Sequence, residues 1–233
     1  IRTALREGKG EAAVSAEWLK SRAENSAARP TACITDHPSP AVSGDPHDYF
    51  SEGPYWWPDP ANPGGRYIRR DGVVNPERFH HHAGAFGQIF TDSLLLALSA
   101  YHLGNTGHLA VLYSKLDAFF LNPATRMNPN MNHAQAIRGI SNGRGIGIIE
   151  AVGMHRLVFA MELLREMNED NPAIRGMYEW LRAFYTWLRT SENGLSEKRT
   201  LNNHSMWYTS ITIALARLLD DAEGFAADCD YYG

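Results

Sequence analysis

The sequence predicts an all-α protein, and three observations support that prediction. Apolar residues recur at intervals close to 3.6 residues over long stretches of the chain, as they do on one face of a helix. No alternating strand pattern continues for more than a few residues, and glycine, proline and asparagine cluster in a few long breaks. With 44% hydrophobic and 21% charged residues among 233, the composition excludes disordered, collagen-like and coiled-coil proteins.

The helical stretches follow one another as hairpins. The first contains Trp18 and Leu19 and ends before Pro30, because proline disfavours helix in the residue that precedes it. Five more stretches with helical periodicity cover residues 86–101, 109–119, 148–167, 174–188 and 203–218. The short turn at Gly104 makes the second and third stretches antiparallel. Hairpins separated by long loops predict an incomplete α/α toroid, a barrel of helical hairpins, with a simple bundle as the alternative.

Residues 30–82 form a different kind of segment. They contain nine of the 12 prolines and five glycines, so no regular helix can continue through them. A structureless stretch of this length is rare in a compact domain unless it is functional or disordered. Disorder would expose many aromatic rings to water, including those of Tyr49 and Phe50. We therefore expect an ordered, aromatic-rich loop.

Charge and hydropathy limit the classes of partner. The formal net charge is -4, so nothing global attracts nucleic acid or an anionic membrane. No apolar run approaches the roughly 18 residues of a membrane span, and residues 1–7 lack the apolar core of a signal peptide. We expect a mature or trimmed soluble chain that binds neither nucleic acid nor membrane.

Cysteine and histidine give no support for a metal or cofactor site. Cys33 and Cys229 lie too far apart for a metal knuckle, and a disulfide between them is not predicted. Three consecutive histidines occupy residues 80–82, but consecutive side chains point in different directions and do not share one ion on regular structure. Solvated loop histidines are the favoured interpretation.

Two features of the breaks suggest ligand binding. Tyr55, Trp56 and Trp57 are either stacking platforms for a sugar or a clamp that packs the loop against helix ends. Arg144, between Gly143 and Gly145, is either a surface residue beside a turn or a planar fork for a carboxylate. On the second interpretation the two glycines let a ligand approach the backbone closely.

A third feature is the Asn202-Asn203-His204 sequence at the start of the last helical stretch. One asparagine is explained by helix capping, because its side chain accepts from free backbone N–H groups. Tyr208 follows His204 by four residues and so falls on the same helical face. An imidazole beside a phenol is a candidate proton-transfer unit.

Seven short motifs occupy these breaks: GDPHDY at 44–49, GPYWWPDP at 53–60, YIRRDG at 67–72, NPE at 75–77, MNPN at 127–130, NGRGIGII at 142–149 and NNH at 202–204. In this order they resemble the alginate lyase superfamily, a group of α/α-toroid polysaccharide lyases that act on uronate polymers. The similarity runs from about residue 30 to 210. The sequence departs from the family at Arg138, where proline is expected, and at Ser205, where glycine is more usual.

The resemblance implies β-elimination on a 4-O-linked uronate polymer such as alginate. Asn203 would hydrogen-bond the substrate carboxylate and thereby stabilise an enolate-like transition state, while His204 would assist it or act as base. The groove would be lined by an aromatic and polar set of residues: Tyr55, Trp56, Trp57, Gln135 and Arg144. An acidic polysaccharide is the implied partner, without metal or cofactor, for a monomer that is secreted or periplasmic.

The family also uses an arginine and a tyrosine some way beyond the asparagine–histidine pair. That position lies past Gly233, so we expect residues 1–233 to be a single toroid domain that is incomplete at the C-terminus. Otherwise Tyr208 or another residue takes the tyrosine's place. Because Ile1 already lies within a helical pattern, we expect missing sequence at the N-terminus too. Because the net charge is -4, a polyanion also requires Arg69, Arg70 and Arg144 to gather in the groove.

Two other functions remain open at this stage. An α/α-toroid glycoside hydrolase needs two carboxylates that flank the scissile bond. The residues of the right type are Asp48, Asp59, Asp71 and Glu77. The other alternative is a non-catalytic domain that binds polyuronate without cleaving it.

Overall fold

The computed structural model describes residues 11–231 and confirms an all-α, toroid-like fold. The prediction about a signal peptide concerns residues 1–7, which lie outside this range. Eight α-helices are present among the described residues: α1 Glu11–Ala28, α2 His81–Leu98, α3 Gly107–Leu116, α4 Met154–Glu166, α5 Pro172–Thr190, α6 Glu192–Lys198, α7 Asn203–Leu218 and α8 Ala222–Asp230.

Shorter helical segments extend or connect these elements. The π-helical turns Ser99–Leu103 and Asp117–Leu121 continue α2 and α3, and 3₁₀ segments cover Ile34–Asp36 and Gly145–Ala151. Gly104 ends the first π turn with φ at 75°, a left-handed conformation that favours glycine. The predicted stretches thus correspond to real helices, except that residues 148–153 are 3₁₀ and turn rather than the start of α4.

The core lies between α2, α4, α5 and α7. The apolar stripe predicted on α5 is buried, including Met177, Leu181 and Phe184. Packing of α2 against both α3 and α4 buries Phe86 and Phe90, and the Phe86 ring stacks on Phe119 at 5.9 Å between centroids. These rings belong to one large buried core, and the burial of its apolar side chains stabilises the fold.

By length and composition alone, one helix among the described residues could cross a membrane. It is α2 with its π-helical continuation, His81–Leu103. In the structure this helix packs against α1, α3 and α4, and buries Phe86, Phe90 and Leu96. That is the position of a core helix in a globular domain.

The loop at residues 30–82 is ordered, as predicted, and it contains short strands. Phe50–Glu52, β1, pairs in parallel with His133–Ala136, β4. Trp56–Trp57, β2, pairs antiparallel with Ile68–Arg69, β3. The first pairing fixes the loop onto the second break of the chain, and the second folds the loop back on itself.

The two cysteines are free. Cys33 is buried, and its thiol donates to the carbonyl of Ala118 at 3.6 Å. Cys229 is exposed on α8.

The histidine run is not a set of solvated loop residues. His81 and His82 begin α2, and His82 is 1% exposed. Its Nδ1 accepts from the Phe50 N–H at 3.0 Å and its Nε2 donates to the carbonyl of His37 at 2.9 Å. The prediction was therefore wrong for His82, which is a neutral imidazole that holds the aromatic loop to α2. Burial lowers the pKa of His82, because the charged form is poorly solvated there.

We expect the contribution of His82 to stability to weaken in acid. The folded-state pKa lies below the ordinary value of about 6.5, so the unfolded chain binds the proton more readily and stability falls as pH drops below that value. Denaturant unfolding at pH 7.5 and 5.5 measures this effect. The difference in unfolding free energy between wild type and His82→Gln should shrink at pH 5.5. A matched His80→Gln change at an exposed position should show no such trend; a constant difference for His82→Gln would contradict the assignment.

Candidate active site

A cleft of about 380 Å³ collects most of the residues singled out from the sequence. Its walls come from the aromatic loop, from β3 and β4, from the 3₁₀ segment and from the first turn of α7. The lining residues are Pro54, Tyr55, Trp56, Arg69, Gln135, Arg144, Ile146, Ile149 and His204. Aromatic rings, apolar side chains and a few convergent polar groups are the usual composition of a small-molecule site.

The aromatic wall depends on the β2–β3 hairpin. Trp56 lies opposite Arg69 in the register, and both line the cleft. Successive strand residues face opposite sides, and Trp57 accordingly lies outside the cleft lining. Its indole N–H donates to the carbonyl of Val73 at 2.9 Å, and the Arg70 guanidinium lies 4.8 Å from its ring centre. Trp57 thus holds the loop to itself rather than to a helix end, whereas Tyr55 and Trp56 line the cleft.

Asn75 fixes the backbone of this wall. Its side chain is buried, with Nδ2 donating to the carbonyl of Trp56 at 3.0 Å. Its backbone N–H donates to the carbonyl of Pro54 at 2.7 Å. Asn75 therefore holds the chain on both sides of Tyr55.

The opposite wall depends on Gln135 and Arg144. Arg144 donates through Nε to the backbone carbonyl of Gln135 at 2.8 Å and through its terminal nitrogen to Oε1 of Gln135 at 3.1 Å. Gln135 is buried and has φ at 46°, a conformation that few residues other than glycine adopt. Both residues were predicted to bind substrate, and the structure places them side by side.

A carboxylate beneath the cleft holds this pair. Glu150 accepts from the Tyr49 hydroxyl at 2.8 Å and from the Ser51 hydroxyl at 2.6 Å, and it also hydrogen-bonds the Gln135 side chain. The same Ser51 oxygen accepts from the Gln135 backbone N–H at 2.8 Å. The unusual backbone conformation of Gln135 is thus stabilised from both its main chain and its side chain.

The cleft is electropositive. Burial and the neighbouring Arg69 both lower the pKa of Arg144, because two guanidinium charges repel each other where water is scarce. Arg69 also pairs with Asp71 at 2.8 Å, but both side chains of that pair are exposed, and such pairs are weak. An anion between the two guanidiniums would relieve their repulsion.

The glycines beside Arg144 serve packing within the chain. A Cβ on Gly143 would lie 1.9 Å from the carbonyl oxygen of Asn132, and one on Gly145 would lie 2.6 Å from that of Asn193. The interpretation that these glycines admit a ligand to the backbone was therefore wrong. They let the chain's own backbone approach on both sides of Arg144.

His204 enters the cleft from the first turn of α7. The side chain of Asn202 accepts from the His204 backbone N–H at 2.9 Å, so Asn202 is the capping asparagine. His204 Nδ1 lies 2.7 Å from Oε1 of Glu197, on α6. Asn203 is exposed beside His204, and none of the described residues hydrogen-bonds its side chain.

Three predicted site residues, Trp57, Asn203 and Tyr208, are not among the residues that line the cleft, and Tyr208 is buried away from it. Tyr208 is 2% exposed, and its hydroxyl donates to the carbonyl of Leu188 at 2.9 Å. Burial raises the pKa of this phenol. Although Tyr208 and His204 lie one helical turn apart, the phenol packs between α7 and α5 while the imidazole lines the cleft.

Sequence reasoning missed two carboxylates that hold the site together, Glu150 and Glu197. Glu150 stands directly after one of the recognised motifs, but its apolar neighbours gave no sign that it accepts from a loop about 100 residues earlier. Glu197 precedes His204 by seven residues, but the two lie on different helices, so no helical spacing relates them.

The toroid-like helical fold thus carries a cleft lined by two guanidiniums, an imidazole and aromatic rings. Comparison with known proteins gives the family: the chain belongs to the alginate lyase family, whose model matches residues 34–232. Its structure resembles the crystal structure of an alginate lyase from Bacteroides ovatus, with a TM-score of 0.85 and 31% sequence identity. The similarity covers 93% of this chain and 58% of that one. No curated protein sequence matches the chain significantly.

Replacing Tyr208 with phenylalanine should affect stability rather than chemistry. The change leaves a buried carbonyl, that of Leu188, without its donor, so the unfolding free energy should fall by about 1–2 kcal/mol. Denaturant unfolding measures that loss, and any turnover of a uronate polymer should stay within about twofold of wild type. A fall in turnover of 100-fold or more, in a variant that remains folded, would place the phenol in the reaction.

Proposed function

We propose that this protein is a polysaccharide lyase that cleaves a 4-O-linked uronate polymer, alginate or a related chain, by β-elimination. The observation that carries the proposal is the composition of the cleft. It joins two guanidiniums and an imidazole to a wall of aromatic rings, and no carboxylate is among its lining residues. Membership of the alginate lyase family supports the same conclusion.

Binding follows from charge and shape. The uronate carboxylate binds near Arg144, whose guanidinium Gln135 holds in place, and Arg69 contributes a second positive charge. The sugar ring stacks on Trp56 and Tyr55, whose flat faces suit the apolar side of a pyranose. Trp57 supports this wall from behind.

The reaction requires removal of the C5 proton, which is only weakly acidic. Neutralising the adjacent carboxylate stabilises the enolate-like transition state. We assign this task to Arg144 together with Asn203, which is exposed beside His204 and available to a ligand. His204 is the base, because its ring lines the cleft and its Nδ1 is already bound by Glu197.

The alternative functions fit the cleft less well. A glycoside hydrolase needs two carboxylates beside the scissile bond, but Asp48 hydrogen-bonds Asn128, Asp59 accepts from the Ala61 N–H, and Asp71 pairs with Arg69. Glu77 is exposed outside the cleft. A non-catalytic polyuronate-binding domain is favoured by one observation, the position of Tyr208 away from the cleft. We further propose that the protein is secreted or periplasmic, where such polymers occur, and acts as a monomer.

Incubation with polymannuronate, polyguluronate and glucuronan tests the proposal. β-Elimination leaves a C4–C5 double bond conjugated to the carboxylate, so ultraviolet absorbance should rise with at least one polymer. His204→Ala should abolish the rise without unfolding the protein, whereas His80→Ala, at an exposed position, should not. Binding with no absorbance change on any polymer would select the non-catalytic alternative, and cleaved products without a double bond would select the hydrolase.

Replacing Arg144 with lysine tests whether the planar guanidinium of Arg144 binds the substrate carboxylate. Lysine keeps the charge but cannot reproduce the two hydrogen bonds to Gln135 and a planar contact with a carboxylate. We expect KM to rise about tenfold, which corresponds to about 1.4 kcal/mol. Arg70→Lys is the matched control, because Arg70 stacks on Trp57 outside the cleft. Equal effects of the two substitutions would argue against a specific role for Arg144.

A further inference from the structure

Glu197 is a buried carboxylate with a single partner among the described residues. It is 1% exposed, and its Oε1 lies 2.7 Å from Nδ1 of His204. Its other oxygen, Oε2, is also buried and has no hydrogen-bond partner in the described part of the chain. The side chain is therefore committed to the imidazole.

Such a carboxylate is costly to bury. Burial raises the pKa of Glu197, and the hydrogen bond with His204 opposes that rise only in part. A buried charge with one unpaired oxygen generally contributes less to stability than an apolar side chain of similar size. A gain in folding stability therefore does not account for Glu197, and its position behind a cleft residue suggests a role in the site.

The helix that carries Glu197 is held firmly in place. Ser191 caps α6 by accepting from the Gly194 N–H at 3.0 Å, and a Cβ on Gly194 would lie 1.9 Å from the carbonyl oxygen of Leu188. On the other side, a Cβ on Gly145 would lie 3.2 Å from the backbone nitrogen of Glu197. Helix α6 is thus packed tightly between the end of α5 and the residue that follows Arg144.

The contacts of His204 leave one ring nitrogen for a ligand. Its backbone is fixed by Asn202 and its Nδ1 by Glu197, while the ring lines the cleft. When Nδ1 carries the proton and donates it to the carboxylate, Nε2 carries the lone pair.

We propose that Glu197 is a positioning residue that holds His204 as the Nδ1–H tautomer and stabilises the imidazolium formed when Nε2 accepts a proton. The stabilisation of the imidazolium rests on the proposed lyase function. In that reaction Nε2 takes the C5 proton, the electrons of the C5–H bond form the C4–C5 double bond, and the C4–O bond breaks. The leaving oxygen takes a proton from water, and the imidazolium then returns its proton to the hydroxide formed.

The charges around the cleft explain why a carboxylate is needed there. Arg144 and Arg69 line the same cleft as His204 and disfavour a third positive charge. Glu197, on α6, contacts Nδ1 of His204 at 2.7 Å, and its negative charge offsets this repulsion. It thereby lets a basic cleft hold both an anionic sugar and a base that becomes a cation.

Nitrogen-15 NMR of the ring nitrogens in the ligand-free protein tests the tautomer directly, and a His204→Gln sample assigns the signals. Wild-type His204 should be protonated at Nδ1. Glu197→Gln retains an acceptor and should keep this tautomer, whereas Glu197→Met removes it and should shift the ring towards Nε2–H, the usual form in water. Wild-type protein with His204 as the Nε2–H tautomer would overturn the proposal.

Steady-state kinetics tests whether Glu197 stabilises the imidazolium during proton transfer. Glu197→Gln should lower kcat about 100-fold, within the range that general base catalysis contributes, while KM stays within about twofold. Glu192→Gln makes the same chemical change at an exposed position on the same helix and serves as control. Unchanged kcat in a folded Glu197→Gln protein would refute the role in proton transfer. If wild type shows the Nδ1–H tautomer but cleaves no uronate polymer, the proposed function fails while the positioning of His204 stands.

Discussion

The site depends on one contact between distant parts of the chain, the pairing of β1 with β4. This short parallel ladder places Ser51 beside Gln135, and the Ser51 hydroxyl joins the Gln135 backbone to Glu150. Without the β1–β4 pairing, the aromatic loop and Arg144 would lie on separate surface segments. The helices supply the stable support, but a few hydrogen bonds between two loops bring the opposite walls of the cleft together.

Two buried carboxylates, those of Glu150 and Glu197, hold the polar side chains of the cleft in place. Glu150 holds Gln135, which in turn holds Arg144, and Glu197 holds His204. Burial raises the pKa of both acids, so each is kept at some energetic cost. Negative charge is thus placed behind the cleft while positive charge faces the ligand. This arrangement fixes the cationic side chains before an anion arrives and reduces the entropy lost on binding.

The sequence was sufficient for those parts of the fold that rest on long apolar stripes. The stripe on α5 predicted a helix, and proline density together with the many aromatic residues predicted the ordered loop. Helices α6 and α8 were missed because they are short and carry no such stripe. Tyr55, Trp56, Gln135, Arg144 and His204 were chosen from motifs, and the structure brings them into one cleft. Spacing alone misplaced Tyr208, because a shared helical face does not say which neighbouring element each side chain meets.

The two glycines beside Arg144 restrict substitution on one side of the cleft more than on the other. Any side chain at position 143 or 145 would collide with backbone atoms, which cannot rotate away as a side chain can. Positions 143 and 145, on either side of Arg144, therefore tolerate no residue larger than glycine without a shift of the backbone. Tyr55 lies in a loop and is 37% exposed, and the exposed tip of the β2–β3 hairpin lies beyond it. Under the proposed function, substitutions on the aromatic wall can change the sugar preference while Arg144 continues to bind the acidic group.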